Sequence, residues 1–199
     1  ATWLVQLDGK SFLTDPVLSD DLVGFVHRNA PPGIPWERMP HVDAALVSHN
    51  HYDHLDLPTL QRLGAPVIAG LGTERLLRRS RLAATTLGWW GSTRVGGVRI
   101  TFVPAQHFSQ RGLGDRDRTL WGGFVVRGAS ATVYHAGDTG YFSGFREIGR
   151  RFPGIDAALL PIGAYDPRWF MKPVHLDPEE ALQAFEDLGA RTFVAMHWG

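Results

Sequence analysis

The sequence predicts an α/β chain in which two β-sheets pack face to face and helices cover the outside. Three observations carry that expectation. Both halves are strand-rich, and each holds one or two helical stretches. The run 42–47 is apolar without alternation, as in a strand covered on both faces. No segment recurs at a fixed period, which sets repeat architectures aside. With 199 residues and 44% hydrophobic content, the chain is expected to form one domain, 1–199, with a sizeable core.

Taken in order, residues 2–7 and 11–14 read as a hairpin around Asp8-Gly9-Lys10. Residues 19–41 read mostly as an irregular loop, because Pro31, Pro32, Gly33, Pro35 and Pro40 break any period. Loops of that length are often functional, and Trp36 and Phe25 either give this one an apolar lining or pin it as a surface loop. After the strand 42–47, Asp56 caps a helix with Pro58 near its first turn, apolar Leu57, Leu60 and Leu63, and Gly64 as its stop. Residues 66–69 form a short buried strand, 73–80 a helix and 85–90 a weak segment. Arg75, Arg78, Arg79 and Arg81 read as a solvated face. A hairpin around Gly96-Gly97 covers 93–103, a charged loop covers 112–119, and 120–127 with 131–135 form another hairpin. A helix is expected over 142–152, a strand over 156–161 and a loop over 162–173. Asp177 caps the next helix, with Pro178 first, Glu180 third and a stripe of Leu182, Phe185 and Leu188; Gly189 ends it. Residues 192–196 are the last strand.

Composition removes several classes of function. The formal net charge is zero, so no nucleic-acid partner is expected. There is no cysteine, which excludes disulfides, iron–sulfur clusters and thiolate zinc sites; any metal is held by nitrogen and oxygen. No apolar run reaches the roughly 18 residues of a membrane span. No signal peptide is visible, and the expected location is the cytoplasm. The chain starts in strand-like sequence and stops at His197-Trp198-Gly199, so it reads as trimmed at both ends, with room for a lost targeting segment.

The chemistry concentrates in Ser48-His49-Asn50-His51-Tyr52-Asp53-His54, where an apolar strand empties into three histidines and an aspartate. On an extended strand end, His49 and His51 put both rings on one side. Asp53 and His54 then turn toward a second nearby point, so one strand end can serve two metals. His107, Asp138 and His197 each follow a β-prone run as well. Singly, each could be a loop or turn residue. Beside the cluster they read as ligands gathered on one sheet edge, where layered folds build their sites. His135 lies on the opposite face of its strand from Asp138 and reads as structural, and His27 and His41 are set aside.

His-x-His-x-Asp-His at 49–54, a lone His107, Gly137-Asp138-Thr139-Gly140 and a late His197 resemble the ligand series of the metallo-β-lactamase superfamily. Later motifs are most similar to the branch containing N-acylphosphatidylethanolamine-hydrolysing phospholipase D and its bacterial relatives. They are Pro104-Ala105-Gln106-His107, Leu120-Trp121-Gly122-Gly123, Leu160-Pro161-Ile162-Gly163-Ala164-Tyr165, Pro167-Arg168-Trp169-Phe170-Met171, His175-Leu176-Asp177-Pro178-Glu179-Glu180 and His197-Trp198-Gly199. The resemblance implies an αββα sandwich with two Zn2+ at one edge, Mn2+ or Fe2+ being alternatives. It implies that His49, His51 and His107 hold one metal, that Asp53, His54 and His197 hold the other, and that Asp138 bridges them. A hydroxide shared by the metals would be the nucleophile, with Asp53, Asp138 and His175 taken as catalytic. His175 would face the substrate, together with Tyr165, Arg168 and Trp169; Arg168 is either a phosphate contact or a structural partner of Asp166. Trp121 reads as core. The expected substrate is a lipid or other small phosphodiester, with peripheral membrane contact and a homodimer as further partners. A lactonase or carboxylester hydrolase of the same fold, and a non-catalytic metal-binding domain, are the competing readings. A wide apolar groove near Trp36, Trp169 and Phe170 would favour a lipid.

Overall fold

The computed structural model describes residues 1–22 and 26–198. Trp3–Leu7 (β1) and Lys10–Thr14 (β2) pair antiparallel, and the turn needs only Asp8 and Gly9, both in left-handed backbone at φ 49° and 73°. Lys10 therefore belongs to the strand. Ala44–Val47 (β5), Val67–Gly70 (β6) and Ala84–Leu87 (β7) continue the sheet in the order β1-β2-β5-β6-β7, parallel from β2 onward. The weak segment 85–90 is thus an edge strand. Between β2 and β5 the expected loop holds two short paired strands, Asp21–Leu22 (β3) and Val26–His27 (β4), and a 3-10 turn at Trp36–Arg38. Phe25 lies outside the described residues. The Arg62 guanidinium sits 4.1 Å above the Trp36 ring.

The second sheet contains Ser92–Val95 (β8), Val98–Val103 (β9), Gly123–Arg127 (β10), Thr132–His135 (β11), Ala157–Pro161 (β12) and Thr192–Met196 (β13), in the order β13-β12-β11-β10-β9-β8. β10 runs antiparallel to both β9 and β11, while β11, β12 and β13 are parallel. Hence β9, β11, β12 and β13 all point to one edge.

Alternation within strands builds the layers. Ala44 and Leu46 face Ile100, Phe102, Phe124 and Val126 between the sheets. Ala45 and Val47 face outward onto Leu60 of Leu57–Leu63 (α1) and Leu77 of Glu74–Arg79 (α2). On the other side, Val125 and Tyr134 pack on Phe145 and Ile148 of Gly144–Arg151 (α3) and on Pro178–Leu188 (α5). Four layers result: helices, sheet, sheet, helices. Asp177 caps α5 by accepting from the Glu180 N–H at 2.8 Å, as expected. Asp56 stands at the start of α1, but its carboxylate accepts from Ser19 and Thr59 hydroxyls rather than from backbone. The buried stripe of α5 is Ala181, Ala184 and Leu188; Leu182 is 54% exposed. Small residues win there because α3 approaches closely, with a Cβ on Gly149 falling 2.7 Å from the Leu188 carbonyl oxygen. The loop 162–173 contains one helical turn, Arg168–Met171 (α4). No helix among the described residues is long and apolar enough to cross a membrane.

Candidate metal centre

The seven residues expected as ligands meet at one edge. His49 leaves β5, His107 follows β9, Asp138 follows β11 and His197 leaves β13. They fall into two groups: His49, His51 and His107 in one, and Asp53, His54, Asp138 and His197 in the other. In the first, His51 Nδ1 lies 2.8 Å from His49 Nε2 and 3.3 Å from His107 Nε2. In the second, His54 Nε2 lies 3.5 Å from Asp53 Oδ2 and 3.2 Å from Asp138 Oδ2. His197 Nε2 lies 3.4 Å from Asp53 Oδ2 and 3.6 Å from Asp138 Oδ1. Ligands about 2.1 Å from a tetrahedral zinc stand about 3.4 Å apart, so both groups have the spacing of a coordination shell. Asp138 also groups with His107 and His175, which places its carboxylate between the two sets.

The opposite ring nitrogens fix the orientation of these ligands. Asp15 directly follows β2. In the structure it is fully buried behind the ligands. Its carboxylate accepts from the Ser48 N–H (2.7 Å) and Ser48 hydroxyl (2.9 Å), and from His54 Nδ1 (2.8 Å) and His135 Nε2 (3.0 Å). The Ser48 hydroxyl in turn accepts from His49 Nδ1 at 2.9 Å. His107 Nδ1 donates to the Val174 carbonyl at 3.0 Å. With those Nδ1 atoms protonated, the Nε2 lone pairs of His49, His54 and His107 all face the cluster. His54 Nε2 and Asp138 Oδ1 are buried without a hydrogen-bond partner, which is costly unless a cation satisfies them. His135 is structural, as expected, and it acts through Asp15.

Charge states suit metal binding. Burial holds His49 well below the ordinary histidine range, with His54 and His107 adding to the effect; it pushes His107 down to about 3 and also lowers His51. Burial works against Asp138 and Asp15, but facing histidines, His54 foremost, keep both well below the usual carboxylate range. His54 is the exception: burial disfavours its charge, yet Asp138 and Asp15 raise it well above its usual value.

Backbone geometry brings these groups close. Asp15 and His197 both have left-handed φ, 39° and 54°, a strain often found at functional sites. Gly137 has φ 64°, and a Cβ there would fall 2.7 Å from Ser48 Cβ. A second residue absent from the sequence reading is Arg111. It reaches over from the 108–119 loop and donates to the carbonyls of Asn50 (3.0 Å) and Leu55 (2.8 Å), at either side of His51, Asp53 and His54. Its guanidinium also lies 4.0 Å above the Tyr52 ring. Neither residue has a motif of its own; Asp15 could be suspected only as an acid ending a strand beside the ligand strand.

The expected substrate contacts separate. His175 is buried at the centre, 4.0 Å from Asp138 Oδ2, with its ring stacked 5.9 Å from that of His197. Tyr165 and Trp169 are exposed, Trp169 at 84%. Arg168 is not a free phosphate contact. Its guanidinium pairs with Asp177 at 3.0 Å and with Glu180, and donates to the His175 carbonyl at 2.8 Å. Its partners are these two acids rather than Asp166, and they tie α4 to α5. Trp121 is partly buried and donates to the Ala105 carbonyl at 3.0 Å. An apolar groove of about 1290 Å³ does open on the centre, with Asp53 and His197 at its edge. Its walls include Trp3, Leu13, Leu18, Ile34, Met39 and Trp198, not Trp36, Trp169 or Phe170.

Residues 10–198 match the family described as the Beta-lactamase superfamily domain. The chain is 39% identical to N-acyl-phosphatidylethanolamine-hydrolyzing phospholipase D 1 of Caenorhabditis elegans, covering 100% of this chain and 62% of that protein. It is 35% identical to a metal-dependent hydrolase of Rubrobacter xylanophilus, covering 96% of this chain and 75% of that one. Among solved structures, Igni18, a metallo hydrolase from the archaeon Ignicoccus hospitalis, superposes with a TM-score of 0.79 at 25% identity, over 100% of this chain and 79% of that one. The chain thus spans less than two thirds of the Caenorhabditis elegans relative. The fold, the ligand geometry and the family match agree: the chain belongs to the β-lactamase superfamily.

Proposed function

We propose that the chain is a dinuclear zinc-dependent hydrolase of phosphodiesters, of phospholipase D type, with N-acylphosphatidylethanolamine-like lipids as leading substrates. The observation that carries this reading is the pair of ligand groups opening onto an apolar groove. Similarity to the Caenorhabditis elegans phospholipase D supports the lipid part of it.

Bound there, divalent ions would supply Lewis acidity, making a water acidic enough to attack near neutral pH and offsetting charge on the phosphoryl group. The chain's own residues do the rest. His49, His51 and His107 would hold one ion and Asp53, His54 and His197 the other, with Asp138 between. Asp15 keeps His49 and His54 in the tautomer that presents Nε2. The ligand carboxylates Asp53 and Asp138 leave two divalent ions incompletely neutralised, which favours an anionic phosphodiester over a neutral ester. In hydrolysis the water oxygen bonds to phosphorus, the ester P–O bond breaks, and the proton the water gives up ends on the departing alkoxide oxygen. His175 Nδ1 is buried at the centre with no hydrogen-bond partner, so it is free to contact that oxygen or a phosphoryl oxygen. Trp3, Leu13, Leu18 and Met39 would take up acyl chain, and Tyr165 and Trp169 would meet the lipid at the exposed rim. Peripheral membrane contact and a homodimer are part of this reading, tested by vesicle co-sedimentation and sedimentation velocity.

A paired screen of the zinc-loaded chain tests the function. The expected result is cleavage of bis(p-nitrophenyl) phosphate and an N-acylphosphatidylethanolamine. Turnover of a lactone panel alone would assign a lactonase of the same fold. Full metal loading without turnover of any of them would assign a non-catalytic metal-binding domain.

A further inference from the structure

At the far end of the second sheet, three arginines stand side by side. Arg94 on β8 is directly opposite Arg99 on β9, and Arg99 is directly opposite Arg127 on β10. Val98, Ile100 and Val126 point into the space between the sheets, so alternation puts Arg99 and Arg127 on the outer face. All three are exposed. Adjacent strands are about 4.8 Å apart, so the row spans about 10 Å. They floor a cavity of about 550 Å³ whose walls include Phe152, at the end of α3, and Gly128 and Ala129.

Like charges directly opposite on neighbouring strands are destabilising. Several other arginines do have acid partners: Arg146 with Asp187, Arg151 with Glu147, Arg191 with Asp156. Among the described residues, Arg94, Arg99 and Arg127 have no carboxylate within ion-pair distance. Arg94 donates to the Gly97 carbonyl (3.1 Å) and Arg99 to the Ser92 hydroxyl (3.5 Å), which leaves their charge uncompensated. Asp8 lies against Gly128, but its oxygens accept from the Ala129 N–H and the Ser130 hydroxyl.

We propose that this row is an anion site, separate from the metal centre, for a small soluble ligand carrying two or more adjacent phosphate groups. A row of guanidiniums spread over about 10 Å is matched along its length by linked phosphates, each offering a bidentate partner, better than by one phosphate. Concavity argues against a flat lipid surface. Position does too: Arg99 is four residues, about 13 Å, from the β9 end that faces the metal edge, so a bilayer feeding the groove would not reach it.

The test uses adenosine, AMP and ADP as probes of the zinc-loaded chain at fixed low ionic strength, read by calorimetry. Expected is affinity rising with phosphate number, and at least tenfold weaker ADP binding in Arg99→Thr, with Arg127→Thr as the second variant. Binding at the metal centre is common to both proteins and cancels. Arg99→Thr should also melt slightly higher than wild type without ligand, because repulsion is relieved, and should keep wild-type activity on bis(p-nitrophenyl) phosphate. ADP binding equal in wild type and both variants would overturn the proposal. So would arginine-dependent binding seen only with phosphatidic acid vesicles, which would make the ligand a lipid surface.

Discussion

The first sheet delivers four ligand side chains from the end of one strand, β5; the second delivers three, one each from the ends of β9, β11 and β13. The supports differ accordingly. Behind β5, side chains do the holding: Asp15 and Ser48 fix His49 and His54, and Arg111 ties the carbonyls on either side of the ligand turn. On the second sheet, backbone does more of it. His107 leans on the Val174 carbonyl, and Gly163 lets the His197 backbone pass so close that a Cβ would fall 2.0 Å from its carbonyl oxygen. The two halves meet at Ser48, whose carbonyl accepts from the Gly122 N–H at 3.0 Å. Single side-chain changes behind the first sheet should therefore disturb two ligands together, whereas the second sheet is sensitive at its glycines.

The largest effect should come at the ligands themselves, the shared Asp138 and the first group's His51. Asp138→Asn and His51→Ala should each lower kcat/KM by more than about 100-fold, since even outer partners of metal ligands cost 10–100-fold. A wild-type rate in either would remove that residue from the centre. Asp15→Asn should weaken zinc binding by about 10–100-fold in a chelator competition, at both positions rather than one. Loss confined to one metal would break the idea that the first sheet is held as a unit. Arg111→Ala should lower stability by about 1–3 kcal/mol by leaving two loop carbonyls short of donors, with Arg111→Lys recovering part of it; chemical denaturation measures this. Trp169→Ala, at an exposed position, should change stability by less than about 0.5 kcal/mol while raising KM for the lipid only.

The pH response sharpens the same contrast. His54 is raised, so in the metal-free chain its contribution to stability is complete below about pH 6.5 and is lost as pH rises through its folded value. His107, lowered to about 3, has the opposite sign: stability is present above about pH 6.5 and is lost as pH falls toward that value. Zinc must displace the His54 proton, so apparent affinity should rise with pH above neutrality, with proton release seen by calorimetry in buffers of different ionisation enthalpy. No proton release would mean that His54 is neutral in the metal-free chain.

The ligands were legible because each is a metal-binding side chain at the end of an apolar run, and a strand end has few places to point. Asp15 was not, because an aspartate before a proline reads as a turn, and only the parallel pairing of β2 with β5 puts it behind Ser48. Arg111 stands just before the charged loop 112–119, in a stretch whose path no periodicity sets. A groove near Trp36, Trp169 and Phe170 was the sign to look for in favour of a lipid; the groove that forms has walls from residues far apart in sequence, such as Trp3 and Trp198, which only the sandwich brings together. Arg168 has the charge of a phosphate contact, yet Asp177 and Glu180 on α5 claim it.

The most direct test is elemental analysis of the chain after zinc reconstitution and removal of free metal. Two zinc ions per chain, falling in His51→Ala, is the expected result. A reconstituted chain that retains no transition metal would contradict the central claim.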